Sequence, residues 1–508
     1  MRAELKALLA GALVLYVAGI WWGVPWQWGP DELAPDYIFG AIEKSFAGGW
    51  HDKYPPMQYY LDALVITPFA AAGRFGWVNM ASLDTTAAML IAMRLLSVAM
   101  TAGAVAAVYL TAAELYGRRG AVAAAIFAGF TPTVVFYAKL ANVDAPSLFW
   151  VACALSFYVR AVRRGAARDL LWYGLTSVTA IATKDQTAGF FVLPSLHLAW
   201  LAAQRREWRP LVTAGAVAVI VLAFELGIPF NLEGFRSHVH VITGEASQPY
   251  RLPGSTWTRQ SAVAALTVAM LGWSMTWVGL AAGVAGILNE VRRRRFLWLL
   301  LPAISYYLFF LVVAGYVYDR FVIGIGFVLA IFAGGVIDDL LQPGGRWLRW
   351  RRVAWAAAAA FIVWSGLSMD LMMILDSRYE TARWMQLRRG TGRVGLVGFP
   401  PYLPHIPASV RLLSGPDDYP AADQPKFVIV NAEVMRRGTA LPPLERAWKE
   451  WLESGRSPYV VAARFKTAPA VSMLTYTDAF RNGIEDATTN LDKVGPEIVV
   501  YWRPGVLR

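Results

Sequence analysis

Apolar runs long enough to cross a lipid bilayer recur through roughly the first three quarters of this 508-residue chain. Hydrophobic residues make up 57% of the sequence and charged residues only 16%, whereas a soluble domain carries about a quarter charged residues. The chain is therefore predicted to be a polytopic α-helical membrane protein.

The apolar runs predict about 11 membrane-spanning helices. Their approximate spans are 7–25, 86–114, 119–138, 145–162, 169–183, 186–204, 210–229, 262–287, 296–315, 321–341 and 353–373. The stretch 169–204 is divided into two helices at "TKDQT". This division matters because a single long helix there would exchange the two sides of the membrane for every later segment.

Basic residues between the runs orient the predicted helices. With Arg2 and Lys6 in the cytoplasm, alternate counting places every later basic cluster on that same side, as the positive-inside rule requires. The net charge of +12 thus comes from short clusters rather than from a continuous basic face for nucleic acid. The clusters are Arg118/Arg119, Arg163/Arg164/Arg168, Arg205/Arg206/Arg209, Arg292 to Arg295 and Arg346/Arg349/Arg351/Arg352.

The remaining polar segments then face outward. A predicted transmembrane domain, 1–375, carries the outer-face loops 26–85 and 230–261. In the last part of the chain, "RVGLVGF", "KFVIVNA", "YVVAARF" and "PEIVVYW" read as short strands, and "LPPLERAWKEWLES" reads as a helix. Residues 376–508 are therefore predicted to form a soluble α/β domain on the outer face.

Ionisable residues gather at the outer ends of the predicted helices. Charged side chains near membrane depth are costly and mark functional sites. Although these residues are far apart in the chain, they share one membrane face, which fits a single site for an anion and an acid/base group. The acids are Asp31, Glu32, Asp36, Asp52, Asp144, Asp185 and Asp319, and the bases are Lys53, Lys139, Lys184, Arg320 and Arg378.

Two of the motifs each fit two interpretations. In "PDE", Asp31 is either a base that accepts a proton from an attacking hydroxyl or part of a helix start. In "HDKYPP", the two prolines either hold Lys53 on a stiff turn suited to a lipid phosphate, or belong to an interfacial loop with a snorkelling lysine.

Three further motifs are equally open. Asp144 of "NVDAP" is predicted to cap a helix, and a contact with substrate would come in addition to that role. Lys184 of "ATKDQ" either binds phosphate or reaches the headgroups. Asp319 and Arg320 of "YDRFV" form an ion pair, contact headgroups or bind the donor.

Other chemistries lack their sequence signatures. His238 and His240 with Glu233 and Glu245 offer only a weak H-x-H pattern, so no metal site is predicted. Phosphate-loop, H-E-x-x-H and G-x-S-x-G motifs do not occur, which argues against ATP-driven pumps and membrane hydrolases of those classes.

Together, these motifs resemble the GT-C-fold, lipid-carrier-dependent glycosyltransferases, which include protein O-mannosyltransferases and ArnT-like aminoarabinose transferases. The resemblance covers roughly residues 7–340. It rests on "PDE" after the first helix, on "KYPP", "KLANVDAP" and "ATKDQ", and on "YDRFV" at the entry to a late helix. "DSRYETARWM" resembles the start of the periplasmic domain in bacterial members.

The resemblance implies that a sugar on a polyprenyl phosphate is transferred with inversion to an acceptor hydroxyl of a glycan, lipid or protein. It also implies a multi-pass protein of the bacterial-type inner membrane with its site facing the periplasm. No cofactor is required. The resemblance implies Asp31, Glu32 and Asp144 for catalysis and Lys53 and Arg320 for the donor phosphate. From their position among the outer-face motifs, Lys139 and Lys184 are also predicted to bind the donor phosphate, and His51, Tyr54 and Asp319 are predicted to bind substrate.

Two other interpretations fit the same residues. A transporter or flippase of a lipid-linked glycan would use the charges as a pathway, with charges deep in several helices and with broken helices in paired repeats. An inactive relative would only bind glycan through its outer domain.

Overall fold

The computed structural model of the chain is mostly helical. It describes residues 3–29, 31–244, 251–343, 347–388, 393–398, 400–406, 410–418, 424–435, 442–467 and 494–504. The chain divides into two compact units. The first includes residues 3–20 and 31–367, and the second includes 21–29 and the described residues from 368 onward. The predicted boundary between the two domains at 375/376 stays a prediction.

Helices account for most of the first unit. They are α1 (Ala3–Val17), α2 (Pro35–Glu43), α3 (Met57–Arg74), α4 (Leu83–Gly129), α5 (Pro132–Ala138), α6 (Asp144–Arg164), α7 (Ala167–Thr183), α8 (Val192–Arg205), α9 (Trp208–Glu225), α10 (Leu232–Thr243), α11 (Thr256–Ser274), α12 (Thr276–Arg293), α13 (Leu301–Tyr306), α14 (Val312–Ala314), α15 (Ile323–Leu340) and α16 (Leu348–Ile374). Two 3₁₀ turns matter for the site, Asp185–Phe190 and Asp319–Val322.

Within the described residues, six helical stretches are long and apolar enough to cross a membrane, or seven if α11 and α12 count as one bent span. The number differs from about 11 for identifiable reasons. The predicted span 86–114 and the first half of the predicted span 119–138 lie together in α4, which is interrupted at Gly117, and the second half of 119–138 contains the short helix α5. Helices α1, α7 and α8 have 15, 17 and 14 residues, short for an independent span. The exact number of spans stays a prediction.

Two expectations about helix breaks have different outcomes. The break at "TKDQT" is confirmed, because α7 ends at Thr183 and α8 begins only at Val192. The prediction of one continuous helix over 262–287 is wrong, because α11 and α12 meet at an angle of 113°. Thr276 adopts a φ of 66° at the bend, and its hydroxyl accepts a hydrogen bond from the Gly279 backbone, which starts a new helix.

Helix α15 forms the centre of the first unit and is buried along most of its length. It packs backbone to backbone on α4, because a Cβ added at Gly334 would lie 2.4 Å from the carbonyl oxygen of Gly120. Small residues permit this close approach of membrane helices. At its other end, α15 directly follows the 3₁₀ turn that carries Arg320.

The second unit contains the small sheet predicted near the C-terminus. Its five strands run in the order β2-β1-β3-β5-β4, with β1 parallel to β2 and β3, and with β5 antiparallel to β3 and β4. All four predicted strands and the predicted helix are confirmed; the three-residue β2 was missed. The elements are α17 (Ser377–Gln386), β1 (Val394–Val397), β2 (Val410–Leu412), β3 (Phe427–Asn431), α18 (Ala432–Met435), α19 (Pro443–Glu453), β4 (Val460–Phe465) and β5 (Ile498–Trp502).

Candidate active site

Asp31 lies in the loop before α2 with its backbone in the left-handed region, at a φ of 53°. Aspartate tolerates this conformation better than most residues, because its short polar side chain bonds locally. Strained backbone of this kind is concentrated at functional sites. Its side chain is 26% exposed, so the carboxylate stays accessible from outside the protein.

Five charged side chains form what we call the ion-pair cluster: Asp31, Lys53, Asp144, Lys184 and Arg320. Lys53 Nζ lies 2.5 Å from Asp31 Oδ1, and Arg320 Nη1 lies 2.7 Å from Asp31 Oδ2. The same Arg320 nitrogen lies 3.4 Å from Asp144 Oδ2, and Lys184 Nζ donates to Asp144 Oδ1. The structure thus brings together residues separated by as many as 289 positions.

Local sequence places each member of the cluster at a helix end or in a turn. Lys53 precedes Pro55 and Pro56, which stop the chain from continuing as a helix until α3 begins. Asp144 is the first residue of α6, where the helix dipole stabilises a carboxylate. Lys184 follows the last residue of α7, and Arg320 belongs to the 3₁₀ turn before α15.

Solvent reaches the cluster from one end. Side-chain exposure falls from 52% for Lys53 and 26% for Asp31 to 10% for Arg320 and 2% for Asp144. A ligand that approaches from solvent therefore meets Lys53 and Asp31 first.

The charges around Asp31 set its proton affinity. Burial raises its pKa, but the neighbouring Arg320 and Lys53 outweigh burial and hold the pKa of the carboxyl well below its usual range. Asp31 is therefore ionised at any ordinary pH.

Arg320 has capacity for a further anion. Its Nε is buried and has no hydrogen-bond partner within the part of the chain that the structure describes. Its guanidinium lies 4.9 Å from the centre of the Tyr318 ring, which restricts its orientation. A buried N–H without a partner is costly, and an incoming acceptor oxygen would remove that cost.

Glu32, although adjacent to Asp31, lies in a different environment. Its carboxylate pairs with Arg94 through two hydrogen bonds of 2.8 and 2.7 Å, and both side chains are fully buried. It also accepts a 3.0 Å hydrogen bond from the Ala141 backbone. Sequence reasoning missed Arg94. Its signal is an arginine inside the apolar run 86–114 of α4, far from the Arg118/Arg119 cluster, where an ionisable residue requires a partner.

Two other predicted residues brace the structure around the cluster. Lys139 is buried and donates to the carbonyl oxygens of Leu15 and Ala18, at 2.8 and 2.5 Å, near the end of α1. A cation at a helix C-terminus is favourable. Asp319 accepts hydrogen bonds from the Tyr137 hydroxyl at 3.0 Å and from the Arg320 backbone at 2.6 Å. These contacts hold the turn that carries Arg320.

The remaining predicted residues lie beside the cluster. His51 Nε2 is 2.9 Å from Ser237 Oγ on α10, and Tyr37 donates to the His51 carbonyl at 2.8 Å. Tyr54 is buried, with its ring centre 5.0 Å from Lys53 Nζ. His51 and Tyr54 both line a neighbouring cavity.

Metal binding finds no support in the described residues, which contain no group of three or more His, Cys, Asp or Glu arranged around a common point. Glu245, a member of the weak histidine pattern, lies outside the described residues. Metal independence stays a prediction.

A comparison with protein-family models finds a match in the first unit. Residues 32–243 match the family model described as dolichyl-phosphate-mannose-protein mannosyltransferase. The resemblance to GT-C-fold glycosyltransferases is confirmed. The matched segment, residues 32–243, covers less than half of the chain and includes Lys53, Asp144 and Lys184. It begins directly after Asp31 and ends before Arg320. No curated protein sequence matches the chain.

Several solved structures are similar to parts of this chain at low sequence identity. ArnT from Cupriavidus metallidurans bound to undecaprenyl phosphate is 16% identical, with a TM-score of 0.49 over 76% of this chain and 72% of its own. The oligosaccharyltransferase AglB from Archaeoglobus fulgidus, in complex with an inhibitory peptide and a dolichol-phosphate, is 12% identical, with a TM-score of 0.46 over 85% and 70%. The Pmt1-Pmt2 complex of S. cerevisiae is 22% identical, with a TM-score of 0.30 over 49% and 36%.

Proposed function

We propose that this chain is an integral-membrane glycosyltransferase that moves a sugar from a polyprenyl-phosphate carrier to an acceptor hydroxyl. The observation that carries the proposal is the ion-pair cluster, in which the two oxygens of Asp31 contact cations from two distant segments, Lys53 and Arg320. The match of residues 32–243 to a family that uses a lipid-phosphate sugar supports this assignment.

The donor phosphate would take the place of Asp31 in these ion pairs. A phosphate presents anionic oxygens of the kind that Asp31 now supplies, and lysine and arginine are the usual phosphate-binding side chains. Arg320 Nε offers one donor more. Exchange would release the Asp31 carboxylate from the cations that depress its pKa, and would make it a better base while the donor is bound.

Released Asp31 would then act on the acceptor. Its carboxylate takes the proton of the acceptor hydroxyl as the hydroxyl oxygen forms a bond to the anomeric carbon. The bond between that carbon and the phosphate oxygen breaks, and both of its electrons leave with the lipid phosphate. Because attack and departure occur on opposite faces, the anomeric configuration is inverted. Lys53 and Arg320 stabilise the charge that develops on the departing phosphate.

No metal is needed for this chemistry. A nucleotide-sugar donor carries a diphosphate that usually calls for a divalent cation, whereas a single lipid phosphate can be neutralised by Lys53 and Arg320. Glu32 and Lys139 would position the loops around the site rather than contact substrate, since each is engaged with buried partners. Asp144 and Lys184 would hold Arg320 in place through the Asp144 carboxylate.

The positive-inside count supports a site on the outer face of a bacterial-type inner membrane, with the C-terminal α/β unit on the same side. A nucleotide sugar is not available there, so the donor must arrive in the membrane. The proposed partners are a polyprenyl-phosphate sugar from the outer leaflet and a glycan, lipid or protein that carries a hydroxyl.

A second candidate function, transport of a lipid-linked glycan, is favoured by the 113° bend between α11 and α12. Transporters place such broken helices at their binding sites. They use them in paired repeats, however, and the ion-pair cluster lies at helix ends and in turns rather than along a pathway of charges.

A reconstitution assay separates the two functions. The full-length protein would be placed in liposomes with a panel of radiolabelled polyprenyl-phosphate sugars and a membrane extract that supplies acceptors. A transferase yields a labelled product of new mass together with free polyprenyl phosphate. Movement of intact donor across the bilayer, without any covalent product, would contradict the proposal. Mass spectrometry of lipid that co-purifies with the protein would name the carrier.

A further inference from the structure

The residues just before Asp31 contain four tryptophans in nine positions and belong to the second unit, not to the first. We call residues 21–29 the tryptophan segment. Tryptophans beside a membrane helix are typical of an interfacial belt, in which the rings lie among lipid headgroups. Trp22 and Trp28 depart from that pattern, since they are only 0% and 3% exposed. These two rings are therefore held by protein contacts.

Arg378, near the start of α17, contacts both buried rings. Its guanidinium carbon lies 3.9 Å from the centre of the Trp28 ring and 5.2 Å from that of Trp22, within the range of cation–π contacts. Its Nε and Nη2 donate to the two carboxylate oxygens of Asp376 at 2.9 and 2.7 Å. Asp376 also accepts a 2.9 Å hydrogen bond from Trp22 Nε1. A buried bidentate pair of this kind has one well-defined geometry, which the two rings share.

Tyr379, the next residue of α17, holds the main chain of the tryptophan segment. Its hydroxyl accepts a 2.9 Å hydrogen bond from the Gly23 N–H and donates a 3.3 Å hydrogen bond to the Trp21 carbonyl oxygen. Its ring centre lies 5.0 Å from that of Trp28. Two consecutive residues of α17 thus fix both the side chains and the backbone of this segment.

The tryptophan segment leads directly into Asp31. Trp28 precedes Asp31 by three residues, which span at most about 10 Å. On the other side of Asp31, the Leu33 N–H donates to the Ala141 carbonyl oxygen at 2.7 Å. The left-handed backbone of Asp31 therefore lies between two fixed points of the chain. A residue other than glycine keeps such a conformation only where its surroundings hold it, so loss of either fixed point should let Asp31 relax.

We propose that Arg378 is a positioning residue for the Asp31 carboxylate. It acts through Trp28 and the short chain that follows, and not on the substrate. The inference rests on the proposed function, in which Asp31 is the base and competes with the donor phosphate for Lys53 and Arg320. Its position matters because a displacement of about 1 Å in a reacting group can lower turnover about 10²-fold.

Zero-length crosslinking measures the position of Asp31 without any substrate. A carbodiimide activates a carboxylate, and a lysine amine in contact with that carboxylate then forms an amide bond with it. Lys53 Nζ lies 2.5 Å from Asp31 Oδ1 and both side chains are partly exposed, so the full-length protein in lipid nanodiscs should give this crosslink. Mass spectrometry of the joined peptides quantifies it. We expect Tyr379→Phe to lower the yield about two- to tenfold and Arg378→Met to lower it further.

Tyr459→Phe is the matched control. Tyr459 is a buried tyrosine of the same unit, and its hydroxyl donates to the Pro425 carbonyl oxygen instead of contacting the tryptophan segment. This variant should keep the wild-type crosslink. Arg378→Met leaves Asp376 buried without its cation and threatens folding, whereas both Tyr→Phe variants leave that pair intact. Equal yields from Tyr379→Phe and Tyr459→Phe, or no crosslink in the wild type, would overturn the proposal.

A double-mutant cycle on turnover separates positioning from a general loss of structure. Tyr379→Phe should lower kcat about two- to tenfold in the wild type. It should leave the residual kcat of Asp31→Asn unchanged, because its effect passes through the carboxylate that this variant lacks. Equal losses in the two backgrounds would overturn the proposal. Failure of the proposed function would appear differently, as a wild type that transfers no sugar while the crosslink yields of the two tyrosine variants still differ.

Discussion

Asp31 and Glu32 are consecutive carboxylates, yet they lie in opposite environments. Glu32 is fully buried and faces Arg94 through two parallel hydrogen bonds. Asp31 is a quarter exposed and has a left-handed backbone conformation. Its two carboxylate oxygens contact two different cations, Lys53 and Arg320, instead of one arginine through two parallel hydrogen bonds. The first arrangement holds a loop against a helix, while the second leaves both cations open to another anion.

Charge near a membrane surface therefore does not by itself mark a reactive group. Removal of one partner from a buried pair leaves an uncompensated charge and costs stability. The exposed Lys53–Asp31 pair is worth little to stability, and the buried Arg320 keeps Asp144 as a partner when Asp31 is neutralised, so loss of Asp31 should be visible mainly in function. Variants of the two neighbours should therefore fail in different measurements.

The largest expected effect is on Asp31. Asp31→Asn removes the proposed base and should lower kcat for sugar transfer about 10²- to 10⁴-fold, the usual contribution of general base catalysis. The thermal unfolding temperature should change little. The matched control is Asp84→Asn, an exposed aspartate in the first turn of α4. Wild-type turnover by Asp31→Asn would remove Asp31 from the mechanism.

The next effect is on Glu32. Glu32→Gln leaves Arg94 buried beside a neutral group and should cost about 3–5 kcal/mol in the free energy of unfolding, typical for one partner of a buried pair. Thermal unfolding of the purified protein measures this loss. The fraction that folds should transfer sugar at close to the wild-type rate. A stable but inactive Glu32→Gln would instead make Glu32 a catalytic residue.

Lys53 should show a smaller effect, confined to the donor. Lys53→Met removes one charged contact to the lipid phosphate and should raise KM for the donor about tenfold, because charge-assisted hydrogen bonds contribute roughly 1.5–3 kcal/mol and Lys53 is half exposed. Lys44→Met, at an exposed lysine that follows α2, is the control. An equal change in both variants would argue against a specific phosphate contact.

The smallest effect is a shift in pH dependence. A carboxyl accepts a proton only above its pKa, so activity falls as pH drops through that value. In the free protein Arg320 and Lys53 hold the pKa of Asp31 well below its usual range. If phosphate takes over these cations, the acid limb of kcat should lie at higher pH than that of kcat/KM, which reports the free enzyme. Coincident limbs would argue against the exchange.

Sequence patterns predicted much of this molecule. The long apolar runs predicted most of the long helices, and short apolar runs rich in valine and isoleucine predicted four strands of the sheet. Placement of charges on one face predicted that Asp31, Lys53, Asp144, Lys184 and Arg320 share a site, because helix ends on one side of a membrane lie near one another.

Other features depend on pairings that a sequence does not display. Glu32 and Lys139 resemble site residues by position, and only their buried partners reveal what they contact. The bend at Thr276 has no proline, and Gly272 and Ser274 just before it are only a weak local signal within an otherwise continuous apolar run. Asn231 and His238 lie in a segment predicted as an outer-face loop, whereas the structure forms α10 there and turns them toward Trp50 and the Asp52 carbonyl.

The central claim is that Asp31 and the donor phosphate compete for the same cations. Equilibrium binding of polyprenyl phosphate to wild type and to Asp31→Asn tests it most directly, with Asp84→Asn as the control. Removal of the competing carboxylate should make Asp31→Asn bind the lipid phosphate more tightly than the wild type, although the variant transfers sugar far more slowly. Weaker or unchanged binding by Asp31→Asn would contradict the claim.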